Sequence, residues 1–257
     1  MSLVTYTVQD RIGYITLNRP EKRNALSGDM VTELKAAFAR AEEDETVKVI
    51  VLKANGEAFC AGADLAYLQQ LQKFSLEENL LDSNHLKDLF QQIYQLKKVV
   101  IANVQGHALA GGCGLATICD FVFSTPEAKF GYTEVKIGFI PALVSVFLIR
   151  RIGEQKAKQL LLSGDLIKGE EAVRMGLVNY LFAKEELEQR VNSFAQFLIK
   201  NNSGQSMALT KQMIGEVQSM PLSEAIAHAV ELNALARGSA DCKKGIAAFL
   251  NKEEIGW

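Results

Sequence analysis

Residues 99–114 of the 257-residue chain read VVIANVQGHALAGGCG, and this stretch decides the fold class. Residues 99–104 are mostly apolar and rich in β-branched side chains, which predicts a strand buried on both faces of a parallel sheet. The glycine-rich residues 106–114 then lead into a helical pattern. The same order occurs earlier, where VKVIVL at 47–52 precedes the small-residue loop NGEAFCAGADL at 55–65. Repetition of strand, small-residue loop and helix predicts an α/β fold.

The rest of the chain extends this pattern on both sides of the two loops. Further strands are predicted at 3–8, 12–18, 121–123 and 177–182. Helices are predicted from an N-cap at Ser27 to about residue 43, and at 76–97, 142–151, 154–162, 169–175, 185–200, 204–218, 222–237 and 240–251. We therefore predict an α/β core over residues 1–195 and a helical C-terminal region over residues 196–257.

Composition argues against several classes of function. The 28 Lys and Arg residues nearly balance the 30 Asp and Glu residues, so the chain has no general attraction for nucleic acid or anionic membranes. The four cysteines form no CxxC pair and only three histidines are available, so we predict buried free thiols and no metal site. No apolar run approaches the roughly 20 residues of a membrane span. With no signal-peptide pattern at the N-terminus, the expected location is cytoplasmic.

The two small-residue loops, 55–65 and 106–114, suggest a chemical role for the backbone. Glycine and alanine allow a close approach to a ligand, and the first N–H groups of a helix have no helical partner. Two such loops could aim two N–H donors at one developing oxyanion. Taken singly, each loop is more simply a tight strand-to-helix turn. Neither contains GxGxxG, and the chain has no P-loop or GxSxG motif.

Two further segments carry charged residues that could take part in proton transfer or ligand binding. In residues 129–141, Glu134 lies among apolar residues and glycines, which would raise its pKa and suit it to proton transfer. A lone glutamate before a lysine is, however, more often solvated. The basic pair in PEKRNAL at 20–26 suits phosphate binding or a solvated turn. Four neighbouring side chains are interpreted as structural: His107, Cys113, Cys119 and Asp120.

These segments, taken in order, resemble the crotonase superfamily of enoyl-CoA hydratases and isomerases over essentially the whole chain. NRPEKRNAL at 18–26 resembles the early loop that contacts coenzyme A (CoA). FCAGADL at 59–65 and HALAGGCGLATICD at 107–120 resemble the two oxyanion-hole loops. FGYTEVKIGFIP at 130–141 resembles the catalytic-glutamate segment, and FLNKE at 249–253 resembles the last CoA-contacting turn.

The resemblance implies a spiral of ββα units with a helical C-terminal trimerisation region, assembled as a homotrimer or a dimer of trimers. It implies that the N–H groups of Ala63 and Gly111 hold the thioester oxygen and that Glu134 moves protons. Residues implied in binding CoA or substrate are Lys22, Arg23, Ala25, Leu26, Ala61, Asp64, Leu65, Gly114, Phe249 and Lys252. It implies an acyl-CoA thioester substrate and no cofactor besides the CoA that the substrate carries.

One departure from the family pattern bears on the reaction. Typical hydratases carry a first glutamate three residues after the oxyanion glycine, and this chain has Gly114 there. A single carboxylate is simplest for a Δ3,Δ2-enoyl-CoA isomerase, although Glu134 could also hydrate alone. Gly114 could mark a decayed acid site or make room for a bulkier substrate.

Residues 137–164 favour hydration, because they resemble methylglutaconyl-CoA hydratases of leucine breakdown. We therefore predict a hydratase for short or branched enoyl-CoA, including 3-methylglutaconyl-CoA. An isomerase and a catalytically weak CoA-binding protein are the alternatives. If the substrate carries a carboxylate, Lys136, Arg150 or Arg151 could pair with it, although surface charge is the commoner role of such residues.

Overall fold

The computed structural model describes residues 2–257, which form an α/β fold with a helical C-terminal region, as the sequence predicts. The strands are β1 (Val4–Gln9), β2 (Ile12–Leu17), β3 (Val49–Ala54), β4 (Val99–Val104), β5 (Ala108–Leu109), β6 (Phe121–Ser124), β7 (Lys129–Gly131), β8 (Ile167–Lys168) and β9 (Tyr180–Leu181). They make a six-stranded sheet of order β1-β2-β3-β4-β6-β9 and a three-stranded sheet of order β5-β7-β8.

Helices cover both faces of the large sheet and continue to the C-terminus. They are α1 (Gly28–Glu43), α2 (Leu65–Leu71), α3 (Leu76–Gln95), α4 (Gly111–Thr117), α5 (Ala142–Ile152), α6 (Glu154–Ser163), α7 (Gly169–Met175), α8 (Lys184–Asn201), α9 (Gly204–Val217), α10 (Leu222–Gly238) and α11 (Ala240–Asn251), with short 3-10 helices at Pro20–Lys22 and Glu134–Ile137. Ser27 caps α1 through a hydrogen bond from the Met30 N–H group, as predicted.

The large sheet is parallel except for β1, which forms an antiparallel hairpin with β2. Ile12 of β2 pairs with Val49, and Val49 pairs with Val99, so the amino ends of β2, β3 and β4 are aligned. We call that side of the sheet the amino edge and the opposite side the carboxyl edge. Because parallel strands all leave the sheet on the same side, residues 18–27, 55–64 and 105–110 meet at the carboxyl edge.

The sheet separates two hydrophobic clusters. The larger one packs α1, α3 and α4 against one face, and the smaller one packs α8 against the other. Residues on both sides of the predicted division between 195 and 196 are buried in α8, so that position lies within one packed helix. The division into two regions otherwise stays a prediction. Within residues 2–257, no helix has both the length and the apolarity to cross a membrane.

Candidate active site

The first of the small-residue loops is held in place by Leu26. The Leu26 N–H group donates to the Gly62 oxygen at 2.7 Å, and the Asp64 N–H group donates to the Leu26 oxygen at 2.8 Å. These bonds form a parallel bridge between Leu26 and Ala63. Because Leu26 bonds to the residues on either side of Ala63, the N–H group of Ala63 itself points away from Leu26.

A second bridge brings the other loop alongside. Cys60 pairs with Ala108, and the Leu109 N–H group donates to the Cys60 oxygen at 2.9 Å. Ala63 lies three residues after Cys60, and Gly111 lies three residues after Ala108. Both loops therefore run in the same direction from this contact.

Gly62 allows these two loops to touch. It has a φ of +91°, and a Cβ there would lie 2.8 Å from the Ala110 Cβ atom. The same Cβ position lies only 3.7 Å from the Gly111 nitrogen. Glycine is therefore required both by the backbone angle and by the space between the loops.

Gly111 presents its N–H group through an unusual backbone angle in the preceding residue. Ala110 has φ 50° and ψ −127°, and its N–H group donates to the Gly131 oxygen at 2.7 Å. Within residues 2–257, the N–H groups of Ala63 and Gly111 donate to no acceptor. Ala63 is exposed and Gly111 half-buried, so both donors can meet a ligand oxygen. Two free donors side by side are the arrangement that stabilises an oxyanion.

Glu134 begins the short helix that follows β7, and its carboxyl group is partly buried. Its Oε2 atom is shielded from solvent and has no hydrogen-bond partner among the described residues. Burial raises the pKa of this carboxyl group. Burial also raises the pKa of the Cys113 thiol to about 12, and the nearby charge of Glu134 adds to that rise. The Gly131 oxygen, three residues before Glu134, accepts from the N–H group of Ala110, the residue before α4. Glu134 therefore lies near the start of α4, the helix that Gly111 begins, and is suited to exchange a proton.

Gly114 does not face open space. A Cβ there would lie 2.2 Å from Cγ1 and 3.0 Å from Cβ of Val144, and 3.1 Å from Cε1 of Phe90. The glycine therefore serves the close contact between α4 and α5, and no larger side chain fits unless Val144 moves. A contact between Gly114 and the substrate stays a prediction.

Most of the residues expected to bind CoA lie together at the carboxyl edge. Lys22 and Arg23 are exposed cations at the end of the first 3-10 helix, while the neighbouring Ala25 and Leu26 are buried. Leu65 is 74% exposed. Ala61 is half-buried, and its N–H group donates to the Arg23 oxygen at 3.0 Å. This placement is compatible with CoA binding, which stays a prediction.

Asp64 is the exception in this group, because its carboxylate is already occupied. Its Oδ2 atom lies 2.8 Å from Nη1 of Arg19, and its Oδ1 atom accepts from the Ala66 N–H group at 2.9 Å. Burial works to raise the pKa of Asp64, but these hydrogen bonds and that of Tyr67 lower it on balance. Its side chain therefore caps α2 and pairs with Arg19.

Phe249 and Lys252 lie on the C-terminal segment, which ends at the amino edge of the large sheet. The segment ends at Trp257, whose oxygen accepts a hydrogen bond from Nη1 of Arg11 at 2.6 Å. Arg11 directly precedes β2 at the amino edge, and six residues of strand span about 20 Å. Within one subunit the segment is therefore placed far from the loops of Ala63 and Gly111, and its role in binding CoA stays a prediction.

The cations considered for a substrate carboxylate differ in availability. Nη1 of Arg151 donates to the oxygens of Thr117 and Cys119, each at 2.8 Å, so Arg151 caps the end of α4 and is not free. Lys136 lies 3.7 Å from Asp165 and is half exposed. Arg150 is exposed and borders a cavity of about 900 Å³ between α5, α9 and α11, away from Glu134.

The side chains interpreted as structural have structural contacts. Asp120 accepts from the Val100 N–H group and pairs with Lys211, both at 2.7 Å, and Nδ1 of His107 accepts from the Lys129 N–H group at 3.2 Å. Cys119 is buried, like Cys113, and burial raises its pKa to about 12. Among the described residues, no three His, Cys, Asp or Glu side chains form a group that could hold a metal ion.

Comparison with known proteins identifies the family. The family model for enoyl-CoA hydratase/isomerase matches residues 7–257. A protein of Thermus thermophilus is 42% identical over 241 residues, which cover 94% of this chain and 95% of the relative. The crotonyl-CoA hydratase of Syntrophomonas wolfei is 34% identical over 96% of this chain and 94% of its own. The crystal structure of an enoyl-CoA hydratase from Mycobacterium smegmatis superposes with a TM-score of 0.92 at 30% identity, covering 99% of this chain and 98% of that one. The chain therefore belongs to the enoyl-CoA hydratase/isomerase family, the crotonase superfamily, and is one of its enzymes.

Proposed function

We propose that the protein hydrates a short enoyl-CoA thioester, with the N–H groups of Ala63 and Gly111 as the oxyanion hole and Glu134 as the acid and base. The observation that carries this proposal is the combination of two unpaired backbone donors with one partly buried carboxyl group that has no partner at Oε2. Each donor of this kind typically lowers a barrier by about 3–4 kcal/mol.

The proposed reaction needs only these groups and one water. Glu134 removes a proton from water, whose oxygen bonds to C3 of the enoyl group, and the C2–C3 π electrons shift toward the thioester. The negative charge on the thioester oxygen is held by Ala63 and Gly111. Protonated Glu134 then delivers its proton to C2, which completes the addition of one water molecule and restores the carboxylate. A raised pKa suits both steps, because Glu134 must give back the proton that it takes.

The charges around Glu134 favour an uncharged acyl chain. The pKa of Glu134 is raised by burial with no opposing effect of a cation, and Arg151 is committed to α4. An acyl carboxylate, as in 3-methylglutaconyl-CoA, would add a second negative charge near Glu134, where Arg151 is committed to α4 and Lys136 already pairs with Asp165 at 3.7 Å. Exposed apolar side chains follow Glu134 in the chain, at Ile137 and Phe139. We therefore propose a short or branched uncharged acyl group in preference to a dicarboxylic one, although a relative in Escherichia coli is named 2,3-dehydroadipyl-CoA hydratase.

The space beside Gly114 favours a second candidate, the Δ3,Δ2-enoyl-CoA isomerase. Because Val144 fills this space, no second carboxylate is placed there to share the proton transfers. Isomerisation requires only that Glu134 take a proton from C2 of a 3-enoyl thioester and return it to C4. A catalytically weak CoA-binding protein is the third candidate.

Assembly and location are also proposals. Exposed apolar residues on α10 and α11 support packing between subunits as a trimer or a dimer of trimers: Leu222, Ile226, Val230, Leu235, Phe249 and Leu250. In such an assembly, Phe249 and Lys252 could serve a neighbouring subunit. We propose a cytoplasmic enzyme that needs no cofactor beyond the CoA of its substrate and binds neither nucleic acid nor membrane.

Three thioesters separate these candidates: crotonyl-CoA, 3-methylglutaconyl-CoA and a 3-enoyl-CoA. We expect fastest loss of the conjugated-enoyl absorbance with crotonyl-CoA and much slower loss with 3-methylglutaconyl-CoA. Faster turnover of the dicarboxylic substrate would overturn the assignment of an uncharged chain. A gain of absorbance from the 3-enoyl substrate, without hydration of crotonyl-CoA, would identify an isomerase. Binding of all three without turnover would identify a CoA-binding protein.

A further inference from the structure

We propose that the Arg19–Asp64 ion pair positions the N–H group of Ala63, so that Arg19 is needed for turnover more than for binding CoA. This inference rests on the proposed oxyanion hole. Nη1 of Arg19 lies 2.8 Å from Oδ2 of Asp64, and the two side chains are only 21% and 10% exposed. Arg19 lies two residues after the end of β2, whereas Asp64 directly follows Ala63. The pair therefore ties residues 18–27 to residues 55–64 at the position next to the donor.

Asp64 is fixed from three directions. Arg19 holds one carboxylate oxygen, the N–H group of Ala66 holds the other at 2.9 Å, and its own backbone N–H donates to the Leu26 oxygen. These contacts restrict the peptide plane on the C-terminal side of Ala63. The peptide plane between Gly62 and Ala63, which contains the N–H donor, is tied to Leu26 through the Gly62 oxygen, so both planes that flank Ala63 depend on Leu26 and the ion pair holds the plane on the Asp64 side.

Arg19 is itself anchored through Asn24. The Arg19 N–H group donates to Oδ1 of Asn24 at 2.9 Å, and Nδ2 of Asn24 donates to the oxygens of Asn55 and Ala58, also at 2.9 Å. Asn24 is fully buried with a φ of 53°. Residues 18–26 and 55–64 therefore form one connected unit, in which Arg19 is the one charged link to the residue after Ala63.

The geometry distinguishes Arg19 from the neighbouring cations. Lys22 and Arg23 are exposed and can reach a ligand phosphate, whereas Arg19 is directed at a carboxylate within the protein. An oxyanion donor must lie within about 2.7–3.1 Å of its oxygen, and a misplacement of about 1 Å can cost roughly 100-fold in rate. Loss of the pair should therefore lower kcat, while loss of Lys22 should raise the dissociation constant of CoA.

The experiment compares Arg19→Met, Arg19→Lys, Asp64→Asn and the double variant Arg19→Met/Asp64→Asn. We expect kcat for crotonyl-CoA to fall by about 10- to 100-fold in Arg19→Met and Asp64→Asn, with KM and the dissociation constant of free CoA changed less than about 3-fold. Asn keeps an oxygen for the Ala66 N–H group, so Asp64→Asn removes the ion pair and leaves the cap. Arg19→Lys should recover part of the rate. The kcat of the double variant should be no lower than that of the less active single variant, because all three variants remove the same interaction.

A spectroscopic measurement makes the test independent of turnover. A cinnamoyl-CoA thioester with an electron-donating ring substituent absorbs at longer wavelength when its carbonyl oxygen is polarised by hydrogen bonds. Wild-type protein should shift this absorbance, Arg19→Met should shift it less, and Lys22→Met should leave the shift of the bound form unchanged. An unchanged shift and kcat in Arg19→Met, or a loss confined to CoA binding, would overturn the positioning role. A shift in wild-type protein that Arg19→Met diminishes, without turnover of any enoyl-CoA, would instead contradict the proposed reaction and support the positioning role.

Discussion

The two edges of the large sheet differ in whether their backbone polar groups are paired by hydrogen bonds. At the amino edge, Lys48 and Lys98 directly precede β3 and β4, and each donates its Nζ atom to backbone oxygens at 2.7 Å. At the carboxyl edge, the N–H groups of Ala63 and Gly111 have no acceptor among residues 2–257. One edge thus uses the buried Lys48 and the half-buried Lys98 to pair the ends of helices, whereas the other leaves donors free.

This difference shows where a fold can keep polar groups unpaired. A fully buried group without a hydrogen-bond partner usually costs about 1–3 kcal/mol, and the donors at the carboxyl edge cost less because Ala63 is exposed and Gly111 only half-buried. At the carboxyl edge the loops holding the free donors are joined to one another through Leu26, Asn24 and Cys60, so the backbone cannot relax to pair them. At the amino edge, Lys48 and Lys98 instead pair the helix-end oxygens of Ile199, Ala41 and Asp44.

Glu134→Gln should have the largest effect at the carboxyl edge. An amide cannot accept and return the proton, so kcat should fall by about 10²- to 10⁴-fold while thioester binding persists. In wild-type protein, kcat/KM should fall as the pH drops through the raised pKa of Glu134, because the base then becomes protonated. Steady-state kinetics from pH 4 to 8 would check both expectations. Glu127→Gln, at an exposed carboxylate before β7, is the matched control and should be neutral. Activity near wild type in Glu134→Gln would remove Glu134 from the mechanism.

Gly62→Ala should have the next largest effect. Its Cβ would press on Ala110 and displace the loop of Gly111, so kcat should fall by about 10- to 100-fold. Gly153→Ala is the matched control, because Gly153 also has a positive φ, of 78°, but has no heavy atom within 4 Å of the added Cβ. Both variants should lose about 1–3 kcal/mol of stability from backbone strain, Gly62→Ala should lose more because its Cβ also clashes with Ala110, and only Gly62→Ala should lose turnover. Equal kcat in the two variants would show that the contact between the loops does not set the donors.

Lys48→Met should have the smallest effect on catalysis, because it alters only the amino edge. Burial, aided by Arg11, lowers the pKa of Lys48 from 10.5 to about 8. Between these values Lys48 binds fewer protons in the folded protein than in the unfolded chain, so its contribution to the free energy of unfolding should rise with pH from about 8 to 10.5. The buried thiols of Cys60, Cys113 and Cys119, whose pKa burial raises to about 12, act in the opposite direction, so each variant is compared with wild type at the same pH. In urea denaturation, the stability of wild type relative to Lys48→Met should increase across this range, whereas its stability relative to Lys200→Met, an exposed control, should stay constant. A constant difference between wild type and Lys48→Met would contradict this role of Lys48.

Much of this contrast is visible in the sequence. The bounds of β4 are as predicted, and the small-residue loops and Glu134 carry local signals of composition. The second sheet is not predicted, because β5 and β8 have two residues each and β7 has three. Strands this short show no hydrophobic periodicity in the sequence, and they form only because neighbouring strands pair with them.

Contacts between distant residues explain what else the sequence does not predict. Arg19 and Asp64 are separated by 45 positions, and no local pattern connects them. The same holds for Gly114 and Val144, whose contact decides whether a larger side chain fits at residue 114. The sequence indicates that Gly114 departs from the family pattern, but only the packing of α5 against α4 shows why a side chain does not fit there.

The contact between Gly114 and Val144 also orders the steps by which this enzyme could change. A mutation of Gly114 to glutamate, arising first, would force the new side chain against Val144 and cost stability before it could help catalysis. A smaller residue at 144 would have to come first, although it leaves a cavity and brings no catalytic gain by itself. In either order, the first mutation toward a site with two carboxylates therefore costs stability before it can improve catalysis, which favours retention of the single carboxylate.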